Sequence, residues 1–279
     1  MDPAKPGVPN IDEIIARLSD LPALPSVAAD LVSSMDDDDL DLNELVAKLE
    51  RDQTLTTKTV RVANSPFFGL MGKVSSVQQA ATVVGLRTIR SLAVASAMSG
   101  LRPPRGIDLN AYWLHAFQTA LAARELARAA RVAHEQAFLC GLIHDLGKLV
   151  MGVLFPEVIE SVHALRTESN LTWSAAEQAI GLPSHSAVGA ALARHWHFPE
   201  MLCQTIEHHH PPFNGLDGLA QVVHVADALA VAYSVARTGH PSGIDLDGVA
   251  FDGLGLSDKQ LYVAARAMRH ADGIADHMH

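Results

Sequence analysis

The segment Phe138-Leu-Cys-Gly-Leu-Ile-His-Asp-Leu-Gly-Lys148 determines how the rest of the chain is interpreted. Apolar residues flank the pair His144-Asp145 on both sides, and the pattern predicts a buried central helix over residues 136–154. A charged carboxylate among apolar side chains is costly unless it is paired or bound to a metal ion. The pair therefore needs polar partners from other parts of the chain.

The composition around this segment favours packed helices over a β-sheet. The chain has 279 residues, of which 48% are hydrophobic and only 5% aromatic. Much of the apolar content is Ala, Leu and Val, and no strand-like alternation or fixed-period repeat interrupts it. We therefore predict an all-α fold with ample core.

Charge and cysteine content restrict the partners and the compartment. The net charge is −10 and no basic patch rises above it, so direct nucleic-acid binding is not expected. Cys140 and Cys203 lie among apolar residues outside any CxxC motif, which indicates two reduced, buried thiols. No signal peptide or membrane-spanning segment is predicted, and we expect a cytoplasmic protein that does not contact a membrane.

The domain organisation is predicted from proline and glycine. Residues 1–10 carry three prolines and form a flexible lead-in. The segment Gly100-Leu-Arg-Pro-Pro-Arg-Gly106 separates two helical blocks. We predict a two-lobed helical bundle with an N-terminal lobe over residues 11–105 and a second lobe over residues 106–279.

Helix starts are predicted from N-capping residues, strengthened where Glu or Gln follows three positions later. Long helices are predicted over residues 109–130 and 219–237. The capping positions are Asp41 with Glu44, Ser75 with Gln78, Ser257 with Gln260, and Asp108 alone.

Histidine and aspartate recur on the helices predicted around His144-Asp145. Two antiparallel helices joined by a short turn would bring His115 level with the pair. Together the set offers several imidazoles and two carboxylates from five helices, which is how helical bundles build metal sites. The further candidates are His115, His185, His208, His209 and Asp227.

The nature of this metal site stays open between several ions. Because no Cys belongs to the set, a site for Fe, Mn, Ni, Zn or Mg is favoured. The alternative is that the histidines only satisfy hydrogen bonds in the core and bind no metal.

The ordered pattern resembles the HD superfamily of metal-dependent phosphohydrolases. The resemblance implies one cation held by His115, His144, Asp145 and Asp227. It implies a second cation held by Asp145, His185 and His208, with His209 as a further candidate. Asp145 and Lys148 become candidate catalytic residues, with Lys148 near the phosphate and a metal-bound water as nucleophile. Two cations about 3.5–4 Å apart can acidify such a water.

Four N-terminal motifs resemble a particular branch, the HDOD family of bacterial signalling output domains. They are Leu21-Pro-Ala-Leu-Pro25, Asp52-Gln-Thr-Leu-Thr56, Val62-Ala-Asn-Ser-Pro-Phe-Phe-Gly69 and the segment 80–85. The similarity covers about residues 15–235 and implies an HDOD-specific N-terminal lobe on an HD-like lobe. The Gly-Tyr-Pro motif of HD-GYP phosphodiesterases is missing after Lys148, so hydrolysis of cyclic di-GMP is not expected.

Two functions follow from these resemblances. The first is a regulatory protein that holds one or two divalent ions and acts through a signalling protein partner or a small nucleotide-like ligand. The second is a metal-dependent phosphohydrolase that acts on a nucleotide or another phosphoester. The sequence leaves the oligomeric state open.

Overall fold

The computed structural model describes residues 7–34, 41–65, 68, 74–103, 105–213, 218–239, 243–271 and 278. Within these ranges the regular structure consists of α-helices and short 3-10 turns, without a β-strand. The predicted all-α fold is therefore confirmed. The acidic run over residues 36–39 and most of the predicted turn after Ser65 lie outside the described residues.

The first half of the chain is organised around α6, which spans Leu86–Met98 and is buried along most of its length. Helices α2, α3, α4 and α5 pack against it. The helices before α6 are α1 (Ile11–Ala16), α2 (Ser26–Ser33), α3 (Leu42–Leu49), α4 (Gln53–Ala63) and α5 (Val77–Val84).

The second half is organised around the long helix α7, which spans Leu109–Ala130 as predicted. The helices α8, α14 and α16 pack around it, and α9 packs against α12. The further helices are α8 (His134–Ile143), α9 (Leu146–Leu154), α10 (Pro156–Ser169), α11 (Trp173–Ile180), α12 (His185–His195), α13 (Glu200–Glu207), α14 (Gly218–Thr238), α15 (Gly248–Gly253) and α16 (Asp258–Met268).

The central helix predicted over residues 136–154 is two helices, and the prediction of one continuous helix was wrong. Helix α8 ends at Ile143 and α9 begins at Leu146, so His144 and Asp145 form the junction. In a continuous helix of 3.6 residues per turn, consecutive side chains diverge by about 100°. The break frees both side chains to face one centre.

The predicted caps are mostly confirmed. Asp108 caps α7, Asp41 caps α3, and Ser257 forms a reciprocal capping box with Gln260. The box predicted for Ser75 and Gln78 was wrong by one residue. Ser76 accepts from the backbone N–H of Gln79, because α5 begins at Val77.

The two halves are linked by the first helix. Helix α1 packs against α12 of the second half. The Arg17 guanidinium that follows α1 donates to the Leu154 carbonyl at 2.9 Å and lies over the Phe155 ring. The segment predicted as a boundary does lie between α6 and α7, while the limits of the two lobes stay a prediction.

Burial explains the most apolar stretches of the chain. Two helical stretches, His134–Leu154 and Gly218–Thr238, are long and apolar enough to cross a membrane, but 89% and 56% of their apolar windows are buried inside the protein. Core helices have this composition. Cys140 and Cys203 are buried, as predicted, and neither forms a disulfide bond.

Candidate metal centre

Five parts of the second half deliver the predicted histidines and aspartates to one centre. His115 comes from α7, the pair His144-Asp145 from the α8–α9 junction, and Asp227 from α14. His185 is the first residue of α12, and His209 follows the end of α13.

Two glycines allow these helices to approach closely. A Cβ at Gly141 would lie 2.6 Å from the Ala120 Cα on α7. A Cβ at Gly147 would overlap the backbone carbonyl of His185. The absence of a side chain at both positions therefore places the junction within reach of His115 and His185.

The first group of atoms surrounds the carboxylates of Asp145 and Asp227. The His115 Nε2 atom lies 3.0 Å from Asp227 Oδ1 and 3.6 Å from Asp145 Oδ2. The His144 Nε2 atom lies 3.7 Å and 3.5 Å from the same two oxygens. Two imidazoles and two carboxylates therefore present four donor atoms to one small space.

The second group lies on the other side of Asp145. The His185 Nε2 atom is 3.3 Å from Asp145 Oδ1 and 3.1 Å from the His210 Nε2 atom. The ring of His209 lies 5.1 Å from the ring of His144 and 5.4 Å from that of His185. Asp145 therefore turns one oxygen toward each group, as a bridging carboxylate would.

The hydrogen bonds of two histidines fit metal binding. His144 and His209 direct their Nδ1 atoms at the carbonyls of Gly141 and Ile206, at 2.9 Å and 2.7 Å. A carbonyl only accepts, so Nδ1 carries a proton, and in the neutral ring Nε2 keeps a lone pair directed at the centre. Both buried Nε2 atoms have no hydrogen-bond partner within the described part of the chain. A cation would satisfy them.

Glu177 supports the site and was missed by the sequence reasoning. Its Oε2 atom lies 2.9 Å from His185 Nδ1, and the carboxylate also accepts from the backbone N–H of His185 and from Trp173 Nε1. A carboxylate on the far nitrogen of a histidine is the usual outer partner of a metal ligand. The only sequence signal was an acidic residue within a largely apolar short helix.

The structure places His209 and His210 at the cluster, where His208 and His209 were predicted. His208 is the half-buried C-terminal cap of α13 and is not among the residues that the described contacts bring together. The helix ends at Glu207, so helical phase no longer determines which of the following rings faces inward. The His210 Nδ1 atom lies 3.3 Å from Asp245 Oδ2.

The electrostatic balance suits ligand chemistry. Burial lowers the pKa of His209 well below its usual value, assisted by His210 and His144, so the ring is neutral. Burial opposes the charge of Asp145, but His144 and Lys148 outweigh it and hold the pKa of Asp145 well below its usual range. Neutral imidazoles and charged carboxylates are the forms that bind metal ions.

A cavity of about 690 Å³ opens onto this centre. His115, Asp145 and Asp227 face it, and Lys148 reaches Asp145 Oδ2 with its Nζ atom at 2.5 Å. A volume of this size accommodates a small molecule.

The fold and the cluster together define an HD-type helical protein. The sequence matches the HDOD domain family over residues 21–212, and the chain belongs to that family. The match is narrower than the predicted range of about 15–235, and Asp227 lies beyond it.

Solved structures share this architecture. A crystal structure of an HDOD domain protein with unknown function from Geobacter sulfurreducens has 23% identity and a TM-score of 0.72, with coverage of 95% of this chain and 99% of that one. A structure from Marinobacter aquaeolei VT8, provisionally named a signal transduction protein, has 25% identity and a TM-score of 0.77, with coverage of 99% and 63%. A structure from Shewanella amazonensis SB2B, provisionally named a phosphohydrolase, has 25% identity and a TM-score of 0.67, with coverage of 91% and 97%.

A longer relative has no described role. An uncharacterized protein from Treponema pallidum (strain Nichols) is 28% identical over 199 residues, which is 71% of this chain. The chain spans only 39% of that relative's length.

Proposed function

We propose that this protein is a regulatory HDOD module whose His/Asp cluster binds one or two divalent cations and thereby a small phosphate-bearing ligand. The observation that carries the proposal is the Asp145 carboxylate, which lies between two groups of imidazoles. The buried Nε2 atoms of His144 and His209 lack a hydrogen-bond partner among the described residues. In such an arrangement metal ions satisfy both the carboxylate and the lone pairs.

Two sets of residues would hold the ions. The first set is His115, His144, Asp145 and Asp227. The second set shares Asp145 and adds His185, His209 and His210. Because imidazoles outnumber carboxylates, Fe, Mn, Ni or Zn suits the centre better than Mg. When bound, the ions supply a Lewis acid that polarises a phosphoryl oxygen.

The regulatory role is supported by the family and by the name of the Marinobacter structure. In this proposal the input is a signalling protein partner or a small nucleotide-like ligand in the cytoplasm. The ligand enters the cavity, where Lys148 offers its ammonium group beside Asp145.

A second candidate function, phosphoester hydrolysis, is favoured by the position of Lys148. Its Nζ atom lies beside Asp145 in the lining of the cavity, where it would neutralise a phosphate group. An ammonium group at this position would hold a phosphate group whether or not the phosphoester is hydrolysed. A measurement of activity, and not the geometry, therefore distinguishes the two functions.

One screen distinguishes these functions. The chain is loaded with each of the candidate ions and tested against phosphomonoesters, nucleotides and cyclic dinucleotides by phosphate release and by thermal shift. The regulatory proposal predicts a ligand that stabilises the loaded protein and is not consumed. Turnover that disappears in Asp145→Ala would establish the hydrolase instead. A loaded protein that neither binds nor hydrolyses any of these compounds would contradict both small-ligand functions.

A further inference from the structure

One wall of the cavity collects basic side chains around a single indole ring. The Lys148 Nζ atom and the Arg166 guanidinium carbon lie 5.0 Å and 5.1 Å from the centroid of the Trp173 ring. The ring of His163 meets the same indole edge-on, with a centroid distance of 4.9 Å. All four side chains line the cavity that opens onto Asp145.

The positive charge of this wall comes from Lys148 and Arg166. Burial lowers the pKa of Arg166, and burial together with the charges of Arg166 and Lys148 lowers the pKa of His163. The nearby carboxylates that favour the charge of Arg166 are Asp145 and Glu177. Each of these carboxylates has a further contact, Asp145 with the metal cluster and Glu177 with His185.

The imidazole of His163 contributes a buried polar atom to this wall. The Nε2 atom of His163 has no hydrogen-bond partner within the described residues. A ligand oxygen would relieve this loss, and an anionic ligand would relieve the crowding of like charge as well.

The indole itself does not serve as a stacking platform for a base. Two cations already lie near its ring, and its N–H donates to Glu177 at 2.7 Å. Trp173 therefore positions the cations. The cavity lining also offers apolar side chains for the uncharged body of a ligand, namely Ala111, Leu114, Val231 and Val235.

We propose that Lys148, His163 and Arg166 form a second anion subsite beside the metal cluster. The ligand of this cavity then carries two linked phosphate groups, one at the cluster and one on the basic wall. Lys148 connects the two positions, because its ammonium group contacts Asp145 and also lies over Trp173. This inference rests on the proposed function for the first phosphate group and extends it to a diphosphate.

The test compares inorganic pyrophosphate with orthophosphate by titration calorimetry on the full chain. We expect the metal-loaded wild type to bind pyrophosphate at least about tenfold more tightly, since a second charge-assisted contact is formed. Arg166→Gln should lose roughly that tenfold preference while orthophosphate affinity and metal content stay unchanged. Arg166→Lys, which keeps the charge, should retain most of it.

A matched control and a metal-free titration make the result decisive. Arg51→Gln removes an exposed arginine that pairs with Asp30 in the first half, and it should bind both anions like the wild type. Metal content is measured before and after titration, because pyrophosphate chelates cations. Unfolding curves establish that each variant is folded.

The outcomes separate this inference from the proposed function. If metal binds but the preference for pyrophosphate over orthophosphate does not depend on Arg166, the proposal of a second anion subsite is wrong and the proposed metal function stands. If no metal binds, the deciding measurement is the titration of the chelator-treated protein and its Arg166→Gln variant with pyrophosphate. Pyrophosphate binding that depends on Arg166 then supports the subsite and overturns the metal function, while its absence overturns both.

Discussion

Asp145 keeps its negative charge in a buried position because imidazoles and an ammonium group surround it. Burial by itself would raise the pKa of this carboxyl group, but His144, Lys148 and His185 lower it. The neighbouring Asp227 behaves similarly, since the nearby imidazoles of His115 and His144 outweigh its burial and lower its pKa. The two carboxylates are therefore available to a cation at neutral pH.

Glu177→Gln should weaken metal binding by about 10–100-fold, because the outer partner of His185 loses its charge. The amide oxygen still accepts one hydrogen bond, so the fold should persist. Competition with a fluorescent chelator measures the affinity.

Glu157→Gln is the matched control, because Glu157 forms an exposed ion pair with Arg105 and does not line the cavity. Equal affinities of the two variants would contradict a supporting role for Glu177.

The residues that the sequence placed at the site are largely those that the structure brings together. All predicted ligand residues except His208 lie in the cluster, because each marks a helix end or a helix face that the apolar pattern defines. His210 and Glu177 were not predicted from the sequence, for two different physical reasons. The turn after α13 determines the direction of His210, and only tertiary packing brings Glu177 to His185.

The junction between α8 and α9 shows what the apolar pattern cannot predict. The hydrophobic period is the same for one continuous helix and for two helices broken by a tight turn. The turn is held by the Lys148 N–H, which donates to the Asp145 carbonyl at 2.9 Å. Close packing of Gly147 against His185 on α12 favours two separate helices, and these two residues are far apart in the sequence.

Gly147→Ala should destabilise the protein by at least about 1–3 kcal/mol, because its Cβ would overlap the His185 carbonyl and push α9 away from α12. Metal content should fall with it, since the shift separates Asp145 from His185. Denaturant titration gives the free energy of unfolding.

Gly248→Ala provides the comparison, because a Cβ there meets nothing within 4 Å. A Gly147→Ala variant as stable as this control would show that α9 and α12 do not need their close approach.

In the first half, the Asn64 side chain links α4 to the chain before α5. Its Nδ2 atom donates to the Val74 carbonyl at 2.6 Å, and its Oδ1 atom accepts from the Val74 N–H at 3.1 Å. Asn64→Ala should therefore cost about 1–3 kcal/mol of unfolding free energy for two lost hydrogen bonds. Thermal and denaturant unfolding measure the loss. Exposed Gln78→Ala in α5 should leave stability nearly unchanged, and equal effects of the two substitutions would refute the link.

The molecule as a whole has one continuous apolar core that includes buried residues of both halves. Helix α1 connects the two halves of the chain, since it packs on α12 and the Arg17 that follows it donates to the Leu154 carbonyl. A metal ion bound in the second half would therefore stabilise a core that the first half shares. The sequence predicted two helical blocks, but not the contacts of the first helix with the second block, because these contacts are remote in sequence; the Arg17–Leu154 hydrogen bond joins residues 137 positions apart.

Metal loading should raise the melting temperature of the full chain by roughly 5–10 °C at a free ion concentration a hundredfold above the dissociation constant. The shift arises because the ion binds only the folded cluster. A chelator should reverse it in a differential scanning measurement. An unchanged melting temperature across Fe, Mn, Ni and Zn would mean that the cluster binds none of them tightly.

The most direct measurement is elemental analysis of metal in protein purified without a histidine tag, for the wild type and for Asp145→Ala. We expect one or two equivalents of a divalent transition metal in the wild type. We expect almost none in the variant, with the helical circular dichroism of both proteins retained. A wild type that is fully folded and carries no metal, even after reconstitution with each ion, would contradict the account and leave the histidines as core residues only.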